Sequence, residues 1–118
     1  MVPADRSIIV VEDEELLIEV LMDVLASMGL KANFFRSCEE AGNVSACDLA
    51  FIDHSLPDGN GSDLLPDLRS RFPQARLLLM TGHPLSNFPP ATQSFIDGVL
   101  IKPFTVDEFE TILLRNLS

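Results

Sequence analysis

Leu49-Ala50-Phe51-Ile52-Asp53, followed without a break by His54-Ser55-Leu56-Pro57-Asp58-Gly59-Asn60-Gly61, decides how this chain folds. An unbroken apolar run closed by Pro and Gly predicts a strand buried on both faces, then a tight turn. Such a strand belongs in a parallel sheet covered by helices. Asp53 stands at the C-terminal tip of the strand, and in open α/β sheets that tip faces the crevice where ligands bind. Taken alone, Asp53 reads equally well as a turn-forming Asp, so the rest of the chain decides.

Working outward, Ser7-Ile8-Ile9-Val10-Val11 is a β-branched run and predicts a second buried strand. Acidic residues 12–15 follow, and their bland account is that carboxylates favour the positive end of a helix. Leu16, Leu17, Val20, Leu21, Val24, Leu25 and Met28 then recur at helical spacing, with Gly29 as the stop. Residues 32–35 predict a strand and residues 39–44 a short helix. Residues 63–72 predict a helix with Pro66 in its first turn and Pro73 as its end. Residues 76–81 and Val99-Leu100-Ile101 predict the last two strands. Thr105-Val106-Asp107-Glu108 is a capping box, and Phe104 and Phe109 are placed for a hydrophobic staple. Val106, Phe109, Ile112, Leu113 and Leu117 form the apolar stripe of the last helix.

Between the fourth and fifth strands the pattern weakens. Pro84, Pro89 and Pro90 forbid a long helix, so a loop with one or two helical turns after Pro90 is expected. Five strands alternating with helical segments predict an α/β doubly wound parallel sheet. At 118 residues a single domain, 1–118 with a core of about 6–117, is the expectation.

The net charge of −10, with Lys31 and Lys102 the only lysines, repels phosphate backbones and anionic lipid. Direct nucleic-acid binding and membrane insertion are therefore not expected. A cation or a partner with a basic patch suits this surface. No stretch is long enough to span a bilayer, and residues 1–7 lack a signal-peptide core. Cys38 and Cys47 show no metal-ligand spacing and read as reduced cysteines of a cytoplasmic protein.

Parallel strands put their C-terminal ends on one edge. The strand ends carry Glu12-Asp13, Asp53, Thr81 and Lys102. Three carboxylates, a hydroxyl and an ammonium therefore collect in one crevice. Close carboxylates repel unless a cation intervenes. Mg²⁺, with Mn²⁺ as the alternative, suits a few carboxylates plus a phosphate oxygen. Asp53 can then act as a nucleophile toward phosphorus, with Lys102 and Thr81 holding phosphoryl oxygens.

Val10-Val11-Glu12-Asp13-Glu14, Asp53 with Leu56-Pro57-Asp58-Gly59-Asn60-Gly61, Met80-Thr81-Gly82 and Lys102-Pro103-Phe104 come in one order. In that order and spacing the chain resembles the receiver domain of two-component response regulators, from about Arg6 to Leu117. The resemblance implies the strand order 2-1-3-4-5 and Asp53 as phosphoacceptor. It implies Asp13 as direct Mg²⁺ ligand, Glu12 as an acid acting through water, and the Ser55 backbone carbonyl as a further ligand. Thr81 would be the switch hydroxyl and Lys102 the phosphate-pairing lysine. The donor would be the phosphohistidine of a histidine kinase or histidine phosphotransfer domain, with slow loss of phosphate to water. The protein would be a signalling phosphoacceptor rather than an enzyme, and whether it forms a homodimer is left open. Ser55 and His83 would flank the site, where receivers tune phosphate lifetime.

Two positions depart from the family pattern. Val99 stands where an aromatic is common, and the prolines break the fourth helical region. A clipped fourth helix with a Lys-Pro-Phe-Thr turn is similar to receivers of hybrid sensor kinases. His54 reads as an ordinary turn residue and His83 as solvated. Phe34, Phe35, Phe51, Phe72 and Phe95 read as core, and Asp107, Glu108 and Glu110 as a solvated face. Rival readings are an unphosphorylated interaction module of the same fold, an aspartyl-nucleophile phosphatase and a flavin-binding protein. The phosphatase would want Asp-x-Asp after strand one. The flavin protein would want a phosphate loop where this chain has repelling carboxylates. No effector domain follows Ser118, so a stand-alone regulator or a piece of a longer protein is expected.

Overall fold

The apolar runs form strands β1 (Ile8–Val11), β2 (Ala32–Phe35), β3 (Leu49–Asp53), β4 (Arg76–Thr81) and β5 (Gly98–Ile101) in a computed structural model that describes residues 6–117. They make one sheet in the order β2-β1-β3-β4-β5, with every neighbouring pair parallel. This is the expected doubly wound architecture. All of β1 and β3 is buried, as strands covered on both faces must be.

Successive strand residues point to opposite faces, and the core divides accordingly. Ile8, Val10, Phe51, Leu78 and Met80 pack with α1 (Glu15–Ser27) and α5 (Val106–Leu117). Ile9, Val11, Ala50, Ile52, Leu77 and Leu79 pack with α2 (Cys38–Ala41) and α3 (Leu65–Arg71). Phe51 is fully buried, and Phe34, Phe35, Phe72 and Phe95 are half-buried against these two clusters.

Helix α1 departs from the expected stripe. Its buried arc is Ile18, Leu21, Val24 and Leu25, while Leu16, Val20 and Met22 are 72%, 44% and 50% exposed. Seven apolar positions at 100° per residue span a wider arc than one sheet face can cover. Leu16 and Val20 therefore fall outside it. The helix also begins at Glu15, because the Glu12 amide still bonds the Phe35 carbonyl and extends the β1–β2 ladder.

Helix α2 is one turn, with the Ser37 hydroxyl accepting from the Glu40 amide at 3.1 Å. A 3₁₀ turn (Gly61–Leu64) leads into α3, whose Pro66 sits in the first turn. Beyond β4 a 3₁₀ turn (Leu85–Asn87) and the one-turn α4 (Pro90–Gln93) replace a full crossover helix, as the prolines require. Asp97 secures this connection, accepting from the Leu77 amide at 2.8 Å and Arg69 Nη2 at 2.7 Å. The α5 capping box closes both ways, Thr105 N–H to Glu108 Oε1 at 3.0 Å and Glu108 N–H to Thr105 Oγ1 at 3.1 Å. The Phe104 and Phe109 rings stack with centroids 6.2 Å apart. No helix among the described residues is long and apolar enough to cross a membrane.

Candidate functional site

The β1 and β3 tips lie side by side, with Val11 paired to Ile52, so Glu12 and Asp13 emerge next to Asp53. One carboxylate oxygen from each of Glu12, Asp13 and Asp53 can be chosen so that all lie within 4.8 Å of one another. Glu12 is 1% and Asp53 5% exposed, while Asp13 faces solvent. Lys102 arrives from the end of β5, its amide bonded to the Thr81 carbonyl at 2.9 Å. The Lys102–Pro103 peptide is cis.

The Lys102 ammonium donates to Glu12 Oε1 at 2.7 Å and lies 3.3 Å from Asp53 Oδ1. The other Glu12 oxygen accepts the Asp13 and Glu14 amides, both at 3.1 Å. Glu12 is thus held at both oxygens. Burial, then the Glu12 charge, push the Asp53 carboxyl up to about 6, against the opposing pull of Lys102. Burial by itself would lower Lys102, but its hydrogen bond to Glu12 and the two carboxylate charges hold it above the usual lysine range.

Thr81 is buried at the tip of β4, beside the β3 tip that ends in Asp53. Its hydroxyl accepts the His83 amide at 3.1 Å, a local bond that shapes the following loop. The structure therefore joins Glu12, Asp13, Asp53 and Lys102 directly and holds Thr81 at the neighbouring strand end. Ser55 is exposed, and its amide approaches Asp53 Oδ1 at 3.4 Å.

The tight turn after β3 is a small antiparallel hairpin, Ser55-Leu56 against Gly59-Asn60. It closes because Gly61 can lie against Asp53. A Cβ on Gly61 would stand 1.9 Å from the Asp53 carbonyl oxygen and 2.7 Å from Ile52 Cγ2. The Gly61 amide donates to the His54 carbonyl at 2.7 Å. Asp58 accepts the Cys38 and Glu39 amides at 2.8 and 3.0 Å, tying the hairpin to α2, and these bonds hold its carboxyl below the usual range. Sequence reasoning assigned no role to Gly61 or Asp58, although both stand in the Leu56–Gly61 stretch that flags the turn. It also read His54 as a turn residue. His54 is half-buried, with its ring edge-on to Phe88 at 5.0 Å and to His83 at 6.5 Å. His83 is exposed as expected.

The donor set fits a hard divalent cation. All three groups are carboxylates, and the buried Glu12–Asp53 pair faces a single lysine.

A five-stranded parallel sheet carrying acids at two adjacent strand tips and a lysine at the edge strand defines the receiver class. The sequence model of the response regulator receiver domain matches residues 8–114, and the chain belongs to that family. It is 29% identical over 117 residues to the photosynthetic apparatus regulatory protein RegA of Cereibacter sphaeroides, covering 96% of this chain and 64% of RegA. It is 34% identical over 120 residues to the two-component response regulator PhoP of Pseudomonas aeruginosa, covering 94% of this chain and 52% of PhoP. Among solved structures, the non-phosphorylated HemR receiver domain of Leptospira biflexa superposes with a TM-score of 0.85 at 28% identity, covering 97% of this chain and 95% of that one. The chain spans less than two thirds of the length of the curated relatives named here. Receiver domains bind Mg²⁺ through acidic residues and interact with histidine kinases, and this chain carries such an acidic cluster.

Proposed function

We propose that this chain is a phosphoacceptor of a two-component phosphorelay, taking a phosphoryl group on Asp53 from a phosphohistidine. The observation that carries the reading is Asp53 itself. It is a buried carboxylate at a strand tip, 3.3 Å from the Lys102 ammonium and clustered with Glu12 and Asp13.

In the transfer an Asp53 carboxylate oxygen attacks phosphorus. The new O–P bond forms as the N–P bond to the donor imidazole breaks, and the imidazole leaves carrying the bond's electron pair. Lys102 lies where a phosphoryl oxygen on Asp53 comes within its reach, and positions charge rather than doing covalent chemistry. The Thr81 hydroxyl, at the next strand tip, is the second group able to meet that phosphoryl. Asp13 and Asp53, with Glu12 behind them and the Ser55 backbone carbonyl beside them, would hold Mg²⁺. When bound, the ion neutralises phosphoryl charge. The chain is consumed one phosphoryl at a time, so it acts as a signalling substrate and not as an enzyme.

Beside Lys102 runs a largely apolar groove of about 460 Å³ lined by Glu14, Leu16, Leu17, Val20, Pro103 and Phe104. The exposed Leu16 and Val20 lie in it, along the groove that Lys102 also lines. This supports a donor that arrives as a protein surface, a histidine kinase or histidine phosphotransfer domain in the cytoplasm.

Incubation with phosphoramidate and Mg²⁺, read by intact mass, tests the chemistry. One added phosphoryl group is expected on the wild type and none on Asp53→Asn. No gain on the wild type would favour an interaction module that is never phosphorylated.

A further inference from the structure

We propose that the edge-to-face contact between His54 and Phe88 carries the state of Asp53 to the segment 83–93. The proposal rests on Asp53 being the phosphoacceptor.

His54 follows Asp53 directly, and its backbone is fixed on both sides. Its amide bonds the Met80 carbonyl at 2.9 Å and its carbonyl accepts from Gly61 at 2.7 Å. Its imidazole meets the Phe88 ring at 5.0 Å between centroids and 88° between planes. Such a geometry sets the positive ring edge against the negative ring face. A displacement at Asp53 therefore has a short, packed route to Phe88.

Phe88 is the anchor of the segment it belongs to. Between Gly82 and Gln93 it is the one buried side chain, while Leu85 is 37% exposed and the prolines face solvent. Phe88 also joins the two short turns. Its amide bonds the Leu85 carbonyl at 3.0 Å, and its carbonyl accepts Gln93 Nε2 at 2.7 Å. Pro84, Pro89 and Pro90 fix φ along the same stretch. A segment this stiff, held through one ring, moves as a unit when that ring moves. The surface it presents includes Pro84, Leu85, Pro89 and Pro90.

The His54 ring makes this contact by packing. Its Nδ1 is buried with no hydrogen-bond partner among the described residues. An apolar side chain would pack on Phe88 without that unpaired atom. Among the described residues no hydrogen bond of the ring pins it against Phe88, so ring packing sets the contact. A second link starts from the same site, the Thr81 hydroxyl accepting the His83 amide. It leaves the Phe88 end of the segment to the His54 contact.

The test uses backbone amide NMR of the Mg²⁺-loaded chain before and after beryllofluoride, with phosphoramidate labelling read in parallel by mass. The wild type is expected to shift at residues 84–92. His54→Ala and Phe88→Ala should keep phosphorylation on Asp53 but lose roughly fivefold or more of that shift. His54→Phe, which keeps an aromatic ring in the contact, should retain it. If His54→Ala loses its native spectrum, His54→Gln carries the same expectation. A wild-type-sized response in His54→Ala or His54→Gln, or no response at 84–92 in a wild type that does gain the phosphoryl group, overturns the proposal. A wild type that gains no phosphoryl group removes the proposed function and this inference with it.

Discussion

The Lys102 ammonium stands 3.3 Å from an Asp53 oxygen, yet its shorter bond, 2.7 Å, is to Glu12. One cation is shared unequally between two buried acids, and Asp53 receives the smaller share. Burial and then the Glu12 charge raise its carboxyl to about 6, and the smaller share of Lys102 opposes them only in part.

A pH dependence follows. The folded Asp53 value, about 6, lies above the ordinary aspartate value of 3.8, so the native state binds this proton more tightly than the unfolded chain. Between those values protonation favours the native state. This contribution to stability is present in acid and is lost as pH rises through about 6. Asp53→Asn removes the buried charge and should stabilise the metal-free protein by about 1–2 kcal/mol near pH 8, with the gain vanishing by about pH 4. Urea unfolding of both proteins across this range in chelator measures it. A variant less stable than wild type near neutral pH would show that Asp53 is not under strain.

Removing Lys102 separates chemistry from cation binding. Lys102→Met leaves the buried Glu12 and Asp53 with no lysine between them, so the Asp53 carboxyl should rise further and Mg²⁺ should bind more tightly. Phosphoramidate labelling should slow by about a hundredfold, the scale for losing one charge-stabilising group. Labelling at the wild-type rate would show that Lys102 serves only Glu12.

Gly61 allows no side chain. With a Cβ 1.9 Å from the Asp53 carbonyl oxygen, Gly61→Ala must push the hairpin off the β3 tip. A loss of about 2–4 kcal/mol is expected in urea unfolding, with labelling of Asp53 impaired. Gly42→Ala is the control. Its Cβ would meet carbonyl oxygens at 3.4 and 3.5 Å in a helical conformation, so a change within about 0.5 kcal/mol is expected.

What the sequence made legible was set by short-range rules. β1 and β3 read correctly because strands buried on both faces are continuous apolar runs. Glu12, Asp13, Asp53 and Lys102 could be grouped because parallel strands place their ends on one edge. The prolines alone sufficed to shorten α4. Helical periodicity located α1 but not the width of its buried arc, so Leu16 and Val20 were assigned to the core they do not join. The His54–Phe88 contact and the approach of Gly61 to Asp53 depend on how loops cross at the sheet edge. No period or local motif encodes that.

The exposed end of α1 supplies the final prediction. Leu16, 72% exposed, has no core to support, and it lines the groove that also contains Lys102 and Phe104. If that groove receives a donor protein, Leu16→Ser should slow transfer from a phosphorylated histidine phosphotransfer protein of the same genome by roughly tenfold, the cost of truncating an interface anchor. Phosphoramidate needs no docking, so its labelling rate should stay within about twofold, and stability should change by less than about 0.5 kcal/mol. The ratio of the two rates is the measurement. Equal slowing with both donors would mean that Leu16 acts on the Asp53 chemistry. No slowing with either would place the donor on another face of the molecule.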